Sequence, residues 1–430
     1  LFGAGKISIY YIRLLLYYLA KLIMGPALAC YFRKSWYLGK DRLPASGPVV
    51  VISNHAASFL DAMLMGVMLN RPIHFFARGD IFKNKWARNI FRRLHMVPLF
   101  SADLAKDQLH RNADSFSKGE EVLKENGLLL IFPEGLSRME RNILPFRKGT
   151  SRIILQTLAS APEIMVHVVP IGIHYRKHEV LSDVQLTTGK VIPVGERYRE
   201  MYAVQASRTV NELTRELEVA MRDVVLYVEQ DHRSSLVEKQ LELFDNNCAG
   251  RFSYEDFHAQ KRLCERVSSL DDDLASKLAA DQHAYFGLLS QYALNDEVMV
   301  QRMNPALTVL LLLIGLPLFI IGLINLPPYL FGKHMADSKV TRQDFYTSVI
   351  SAVSAFSYVI WLAIWWTMAL LSGNVLLIGL VVLMPMLGWL ALGWWQRFKQ
   401  WKIHRNWNKT PQEIKARLLE MRDALLANSY

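Results

Sequence analysis

Two short motifs, each just past an apolar run, carry the residue types that acid–base and phosphate chemistry require. The first is Ser53-Asn54-His55-Ala56-Ala57-Ser58-Phe59-Leu60-Asp61, which follows Val49–Ile52. A histidine at a strand exit can serve as general base, and a carboxylate in the next helix can fix its tautomer and stabilise the imidazolium. The same pair also suits a turn histidine and a surface helix aspartate, so the spacing alone does not choose. The second motif, Leu130-Ile131-Phe132-Pro133-Glu134-Gly135-Leu136-Ser137-Arg138, leads to Phe146-Arg147-Lys148-Gly149-Thr150-Ser151. Pro133 ends the strand and Gly135 permits close backbone approach. Arg138, Arg147 and Lys148 bring positive charge that, with the amides of a helix N-terminus, suits a phosphate. A basic turn is usually a solvated surface, but this one falls at the sheet edge that holds His55, the end at which α/β folds bind ligands.

The elements that must position these residues follow from pattern. Short β-branched runs at Val49–Ser53, Ile73–Arg78, Leu128–Pro133, Val166–Tyr175 and Val184–Val194 read as strands. Between them, Phe59–Leu69, Lys85–Leu94, Lys106–Glu125 and Gly149–Ala159 read as helices, which gives an α/β layered domain. Residues 207–243 read as one further helix whose face of Val210, Leu213, Leu217 and Val224 packs on that body.

The chain has 430 residues and a net charge of +11, with 51% hydrophobic residues, which excludes a disordered or fibrous protein and allows two or three domains. The sequence pI of about 9.4 suits an anionic surface, anionic substrates or nucleic acid. The three cysteines, Cys30, Cys248 and Cys264, are far apart and lack zinc-ligand spacing, so neither a disulfide framework nor a metal site is expected. Asp245-Asn246-Asn247-Cys248-Ala249-Gly250 with Asp256 weakly resembles a calcium loop. Ala249 stands at the fifth ligand position and Asp256 at the twelfth, and a turn between helices is the expectation.

Apolar residues concentrate at both ends of the chain. Ile7–Phe32, interrupted by Arg13, Lys21 and Gly25-Pro26, reads as two short helices lying in one leaflet with their basic side chains at the headgroups; a single tilted span is the alternative. Residues 349–371 and 375–395 are each long enough to cross the roughly 30 Å hydrocarbon core and should form a hairpin through Ser372-Gly373-Asn374. Residues 306–331, broken by Gly315, Pro317, Asn325, Pro327 and Pro328, read as re-entrant or interfacial. Arg397, Lys399, Lys402, Arg405 and Lys409 follow as a basic tail that favours the cytoplasmic side. The organisation is therefore 1–38 as N-terminal helices, 39–230 as the α/β domain, 231–303 as a helical extension, 304–396 as a membrane region and 397–430 as a tail. The chain opens on Leu1, so its natural start is expected to differ.

In this order and separation, the two motifs resemble those of the glycerolipid acyltransferases. In that family an Asn-His-x4-Asp block, a Phe-Pro-Glu-Gly-x-Ser/Arg block with a following Lys-Gly, and a Val-Pro-Ile-like strand recur. Val169-Pro170-Ile171-Gly172 matches the last. The resemblance covers residues 39–230, and the long C-terminal membrane region is similar to the branch that acylates glycerol-3-phosphate or dihydroxyacetone phosphate. Two departures stand out. Five residues separate His55 from Asp61 where the family usually has four, a spacing the same branch shares and a bulged loop would accommodate. In Val97-Pro98-Leu99-Phe100-Ser101, Phe100 or Ser101 occupies the position where the family has an arginine, and Arg78 in Ala77-Arg78-Gly79-Asp80 is a substitute.

The resemblance implies a membrane-bound O-acyltransferase of phospholipid biosynthesis. His55 would be the base and Asp61 its orienting partner. Glu134, Gly135, Ser137, Arg138, Arg78, Arg147 and Lys148 would hold the acceptor and its phosphate. The donor would be acyl-CoA or an acyl-carrier protein, and the acceptor glycerol-3-phosphate or, alternatively, a lyso-lipid such as lysophosphatidic acid. No cofactor is expected, because a thioester is already activated. The expected partners are these substrates and the lipid bilayer, and nucleic acid is not among them. The protein would be integral to a bacterial inner membrane or the endoplasmic reticulum, with its catalytic domain in the cytoplasm. The reading from another class is a catalytically silent scaffold that binds lipid or acyl chains.

Overall fold

The computed structural model describes residues 2–82, 84–99, 112–247 and 252–427. The chain folds as two units, Leu1–Met139 with Ile143–Leu226, and Glu140–Asn142 with Tyr227–Tyr430.

The first unit is built on one mostly parallel sheet. In chain order its strands are β1 (Phe32–Leu38), β2 (Val49–Ser53), β3 (Ile73–Arg78), β4 (Met96–Leu99), β5 (Leu128–Ile131), β6 (Val166–Tyr175), β7 (Ser182–Thr188) and β8 (Ile192–Val194). Across the sheet they run β1-β7-β6-β2-β5-β3-β4, with β8 added on β6. Strand β2 lies between β5 and β6, parallel to both, and every residue of it is buried. A strand covered on both faces reads as an unbroken apolar run, which is why Val49–Ile52 shows no alternation. The parallel set β4, β3, β5, β2 and β6 brings its carboxyl ends to one edge. Helices α1 (Phe2–Tyr31), α2 (Phe59–Met68), α3 (Lys85–Arg93), α4 (Asn112–Lys124), α5 (Gly149–Ser160) and α6 (Glu196–Arg222) complete the unit.

Several boundaries differ from the expectations. The sheet begins at Phe32, not after residue 38, because β1 pairs with β7, a partner about 150 residues away that gives no local signal. Ile7–Phe32 is not two short helices: α1 continues through Gly25 and Pro26 to Tyr31. It is tied to α2, since the Tyr17 hydroxyl donates to Gly66 O (3.3 Å) and Lys21 Nζ donates to Leu69 O (2.5 Å). Lys21 thus meets the carbonyl end of α2, where a cation is favoured, and not a headgroup. Leu15, Tyr18, Leu19 and Leu22 face outward on α1.

The run Val184–Val194 is two strands, parted at Gly189, whose flank is filled by Val224 and Pro170. The helix expected over 207–243 is also two. Helix α6 ends at Arg222, and the next begins at Ser234, because Val224 crosses Gly172 so closely that a β-carbon there would sit 1.8 Å from Val224 O. Val210, Leu213 and Leu217 are buried as the pattern requires; Val224 is buried too, but in that crossing. The positions Phe100, Ser101 and Lys106–Arg111 lie outside the described residues.

The second unit is helical: α7 (Ser234–Asn247), α8 (Tyr254–Ser269), α9 (Asp272–Gln291), α10 (Glu297–Val300), α11 (Pro305–Gly322), α12 (Leu326–Lys339), α13 (Gln343–Ser372), α14 (Val375–Lys409) and α15 (Gln412–Ala427). The tail expected at 397–430 is not a tail. Helix α14 runs on to Lys409, and α15 docks through Arg422, which donates from Nε (2.7 Å) and Nη2 (3.2 Å) to the buried Asp296 carboxylate. Tyr285 and Asn246 also donate to Asp296. Of the calcium-like segment, Asn247 accepts from Arg422, and Asp256 closes the capping box of α8 with Ser253. Cys248–Gly250 lie outside the described residues.

Among the described residues, four helical stretches are long and apolar enough to cross a membrane: Leu14–Tyr31, Pro305–Lys339, Gln343–Ser372 and Val375–Lys409. Gly373, with φ of 62°, turns α13 into α14, and Asn374 caps the new helix. Length and composition would let Pro305–Lys339 cross once, but its contacts show it doubling back. Along α14, Trp394 Nε1 donates to Leu312 O (2.8 Å) and Asn325 Nδ2 reaches Met384 O (3.0 Å). Along α13, the pairs are Trp361 with Ile324, Ser357 with Pro328 and Tyr346 with Asp337. The segment therefore climbs α14 and descends α13, with Asn325 at the turn, where Tyr358 donates to Asn325 Oδ1 (2.8 Å). A bilayer crossing by α13 and α14 then places Arg302 and Lys339 on one face and Gly373 on the other. In intact membranes, an impermeant thiol reagent is expected to label Arg302→Cys and Lys339→Cys from the same side and Gly373→Cys only from the opposite side.

Candidate active site

The chain leaves β2 at Ser53, and Asn54 extends the pairing by side chain. Its Oδ1 accepts from Ile173 N (2.7 Å) and its Nδ2 donates to Ile173 O (2.9 Å), so the backbone is pinned to β6 one residue before His55. The His55 ring then lies flat on Phe132, centroids 3.9 Å apart and planes within 12°. Its Nδ1 is 2.8 Å from Asp61 Oδ2, and Asp61 is completely buried in the first turn of α2. An ionised carboxylate only accepts, so Nδ1 carries the proton and Nε2 is left as the basic nitrogen.

The five-residue spacing is absorbed at Ser58, whose φ of 52° is a backbone conformation that side chains disfavour. Two bonds brace this loop from the second motif. Ser58 N donates to Ser137 Oγ (2.9 Å), and Arg138 N donates to His55 O (2.9 Å). Ser137 is buried, and its hydroxyl accepts from the backbone of Ser58 in the loop between His55 and Asp61.

Beyond β5 the chain turns at Gly135, with φ of 71°, and Gly135 N donates to Phe132 O (3.0 Å). A β-carbon here would lie 2.7 Å from Arg147 Nε, so the absence of a side chain lets the guanidinium settle on the turn. Arg147 N donates to Pro133 O (2.9 Å), which ties the start of α5 to the same turn. Arg147 and Lys148 are exposed and Arg138 is half-buried. Arg78 ends β3 at the same sheet edge. The arrangement thus unites His55, Asp61, Glu134, Gly135, Arg138 and Arg147 with Lys148 at the start of α5, while Ser137 lies below them.

Glu134 is buried, and its Oε2 accepts from Leu144 N (3.1 Å). Burial pushes its carboxyl up to about 7, outweighing the Leu144 hydrogen bond and the charges of His55 and Arg138, with Glu218 adding to the rise.

Residues 36–174, which carry both motifs, match the Acyltransferase family. Over 107 residues this chain is 33% identical to glycerol-3-phosphate O-acyltransferase 2 of Saccharomyces cerevisiae, covering 25% of this chain and 14% of the relative. Over 124 residues it is 27% identical to a 1-acyl-sn-glycerol-3-phosphate acyltransferase of Bacillus subtilis, covering 29% and 56%. A chloroplastic 1-acyl-sn-glycerol-3-phosphate acyltransferase of Brassica napus is 29% identical over 168 residues, 38% of this chain and 40% of the relative. The matches thus span from 14% to 56% of the length of these relatives. Among solved structures it is similar to the 1-acyl-sn-glycerophosphate acyltransferase PlsC of Thermotoga maritima, at 19% identity and a TM-score of 0.37, covering 52% of this chain and 88% of that one.

Residue types alone did not reveal three supports of this site. Asn54 and Phe132 sat in the motifs without a role, and Tyr175, whose hydroxyl donates to Asp61 Oδ1 (2.6 Å), lies 114 residues from its acceptor. The raised Glu134 carboxyl gives a measurable consequence. Folded chains keep it protonated up to about pH 7, whereas unfolded chains ionise it near 4.5, so the folded state holds the extra proton between these values and stability falls as pH rises through that window. Glu134→Gln is expected to remove this component, and thermal unfolding in detergent at about pH 5 and about pH 7 should show a smaller drop in Tm than the wild type.

Proposed function

We propose that this chain transfers a fatty acyl group from an acyl thioester to the hydroxyl of glycerol-3-phosphate or a related phosphate or lyso-lipid acceptor. The observation that carries the reading is the His55–Asp61 pair, its Nε2 unpaired with the carboxylate, beside the Glu134-Gly135 turn and the cations that follow it. His55 Nε2 takes the proton of the acceptor hydroxyl as the oxygen attacks the thioester carbonyl. The carbon–sulfur bond of the tetrahedral intermediate then breaks, and the imidazolium returns the proton to the leaving thiolate, so no acyl-enzyme forms. Asp61 holds the tautomer and offsets the imidazolium charge. Arg138, Arg147 and Lys148 suit the acceptor phosphate, and Glu134 suits a hydroxyl.

The donor is acyl-CoA or an acyl-carrier protein, and the thioester requires no metal or redox cofactor to react. A 1-acylglycerol-3-phosphate acceptor is the second reading, favoured by the names of the Bacillus and Brassica relatives. Four apolar helical stretches and the basic run from Arg397 to Lys409 support residence in a bacterial inner membrane or the endoplasmic reticulum with the catalytic domain cytoplasmic, where acyl thioesters are made.

Thiol release from acyl-CoA with a panel of acceptors tests the proposal. His55→Ala should fold and lose about 100-fold or more of the rate, and Asp61→Asn should lose less, because it keeps the base. Retention of wild-type rates by His55→Ala at equal expression would remove His55 as the base, whereas no thiol release by the wild-type chain with any acceptor would leave the silent-scaffold reading. Separately, Arg138→Ala and Lys148→Ala should raise the acceptor KM about tenfold and leave the donor KM within about twofold. An effect confined to the donor KM would assign both cations to the thioester's carrier.

A further inference from the structure

We propose that Tyr175 is a positioning residue for the reaction: its hydroxyl holds the second oxygen of Asp61 and thereby sets the basicity of His55. This rests on the reading of His55 as the general base.

Asp61 has no solvent exposure, and a buried carboxylate needs donors for its lone pairs. His55 Nδ1 (2.8 Å) and Ala57 N (2.9 Å) both lie on Oδ2, and Tyr175 Oη (2.6 Å) is on Oδ1. Without Tyr175 the carboxylate would be held by one oxygen only and could turn about its own axis. The sheet explains why the tyrosine is there. Strand β6 continues past the end of β2, whose Ser53 pairs with Ile171, and so overhangs the His55 loop by four residues. Asn54 fixes this overhang at Ile173, and Tyr175 stands two residues on, paired with Val184 of β7. Its ring is enclosed by Phe32 at 6.0 Å and His178 at 5.1 Å between centroids. Burial first, and then the adjacent Asp61 charge, raise the phenol's pKa well above its ordinary value, so it stays protonated and donates at every working pH.

The consequence is electrostatic. A donor on Oδ1 draws charge from the carboxylate, which weakens its pull on the Nδ1 proton and keeps the imidazolium acidic enough to release its proton to the leaving thiolate. The titratable and charged groups that bear on this cluster are Asp61 on α2, Glu134 and Arg138 on the turn after β5, Tyr31 at the end of α1, and His178 beyond β6. None of them bonds Oδ1 in place of Tyr175 among the described residues.

Tyr175→Phe keeps the ring and removes only the O–H. The acid limb of its kcat/KM profile is expected to move up by about half to one pH unit, with kcat down about three- to tenfold and the acceptor KM within about twofold. Because the effect runs through Asp61, Asp61→Asn/Tyr175→Phe should be no slower than Asp61→Asn. Site-specific 3-fluorotyrosine at position 175 is a stronger donor and should move the acid limb down; this arm decides the matter if Tyr175→Phe does not fold. An unchanged acid limb in the folded variants, or loss confined to Tm and yield at normal specific activity, would overturn the role of Tyr175. His55→Ala in the same assay separates the two ideas: activity there removes the base itself and the proposal with it, whereas an inactive His55→Ala beside a Tyr175 variant with the wild-type profile removes only the tyrosine.

Discussion

A carboxylate with no access to water has to be surrounded by donors, and much of the first unit is arranged around that requirement. Among the described residues Asp61 takes three, from a histidine ring and a backbone amide in the loop after β2 and from a phenol at the end of β6. Each donor is rigidly based. His55 lies against Phe132, Ala57 N belongs to the turn that opens α2, and Tyr175 ends a strand buried almost throughout. The histidine is thereby oriented without any flexible element, which is what a base with its working nitrogen at a fixed place requires.

The two motifs are separate in sequence and one body in space. Parallel pairing of β2 with β5 delivers both loops to the same edge, and bonds from Ser58 N to Ser137 and from Arg138 N to His55 O then join them. The disfavoured backbone at Ser58 is a local cost of fitting five residues between His55 and Asp61, offset by the buried partners on both sides. Gly135 belongs to the same economy, since only hydrogen at that position leaves room for Arg147 over the turn.

In the second unit the governing constraint is again an unpaired polar group, here in apolar surroundings. The break at Leu323–Asn325 frees backbone carbonyls: Asn325 Nδ2 donates to Gly322 O and to Met384 O, Trp361 donates to Ile324 O, and Tyr358 donates to Asn325 Oδ1. Small residues allow the approach: a β-carbon on Gly322 would lie 2.6 Å from Leu387 O, and one on Gly332 would lie 2.2 Å from Ser354 Oγ. The doubling back of 305–339 thus has both a polar turn and close-packed flanks.

Strand β3 and strand β6 could be read to the residue, and so could the two motifs, because buried parallel strands are apolar runs and the loops after them carry special residues. The helical hairpin through Gly373 was equally legible from length and hydropathy. Other features had no local signature. Phe32–Leu38 becomes a strand only against β7, and the helix after Arg222 is interrupted only because Val224 has to cross Gly172. That the Ser137 hydroxyl accepts from Ser58 N, across 79 residues of sequence, likewise had no local sign. Tyr175 was one aromatic residue at the end of a strand until the sheet order set it over Asp61. Periodicity and residue type report what a segment does with its immediate neighbours; which distant segment supplies the last hydrogen bond depends on strand order and register, and these exist only once the chain has folded.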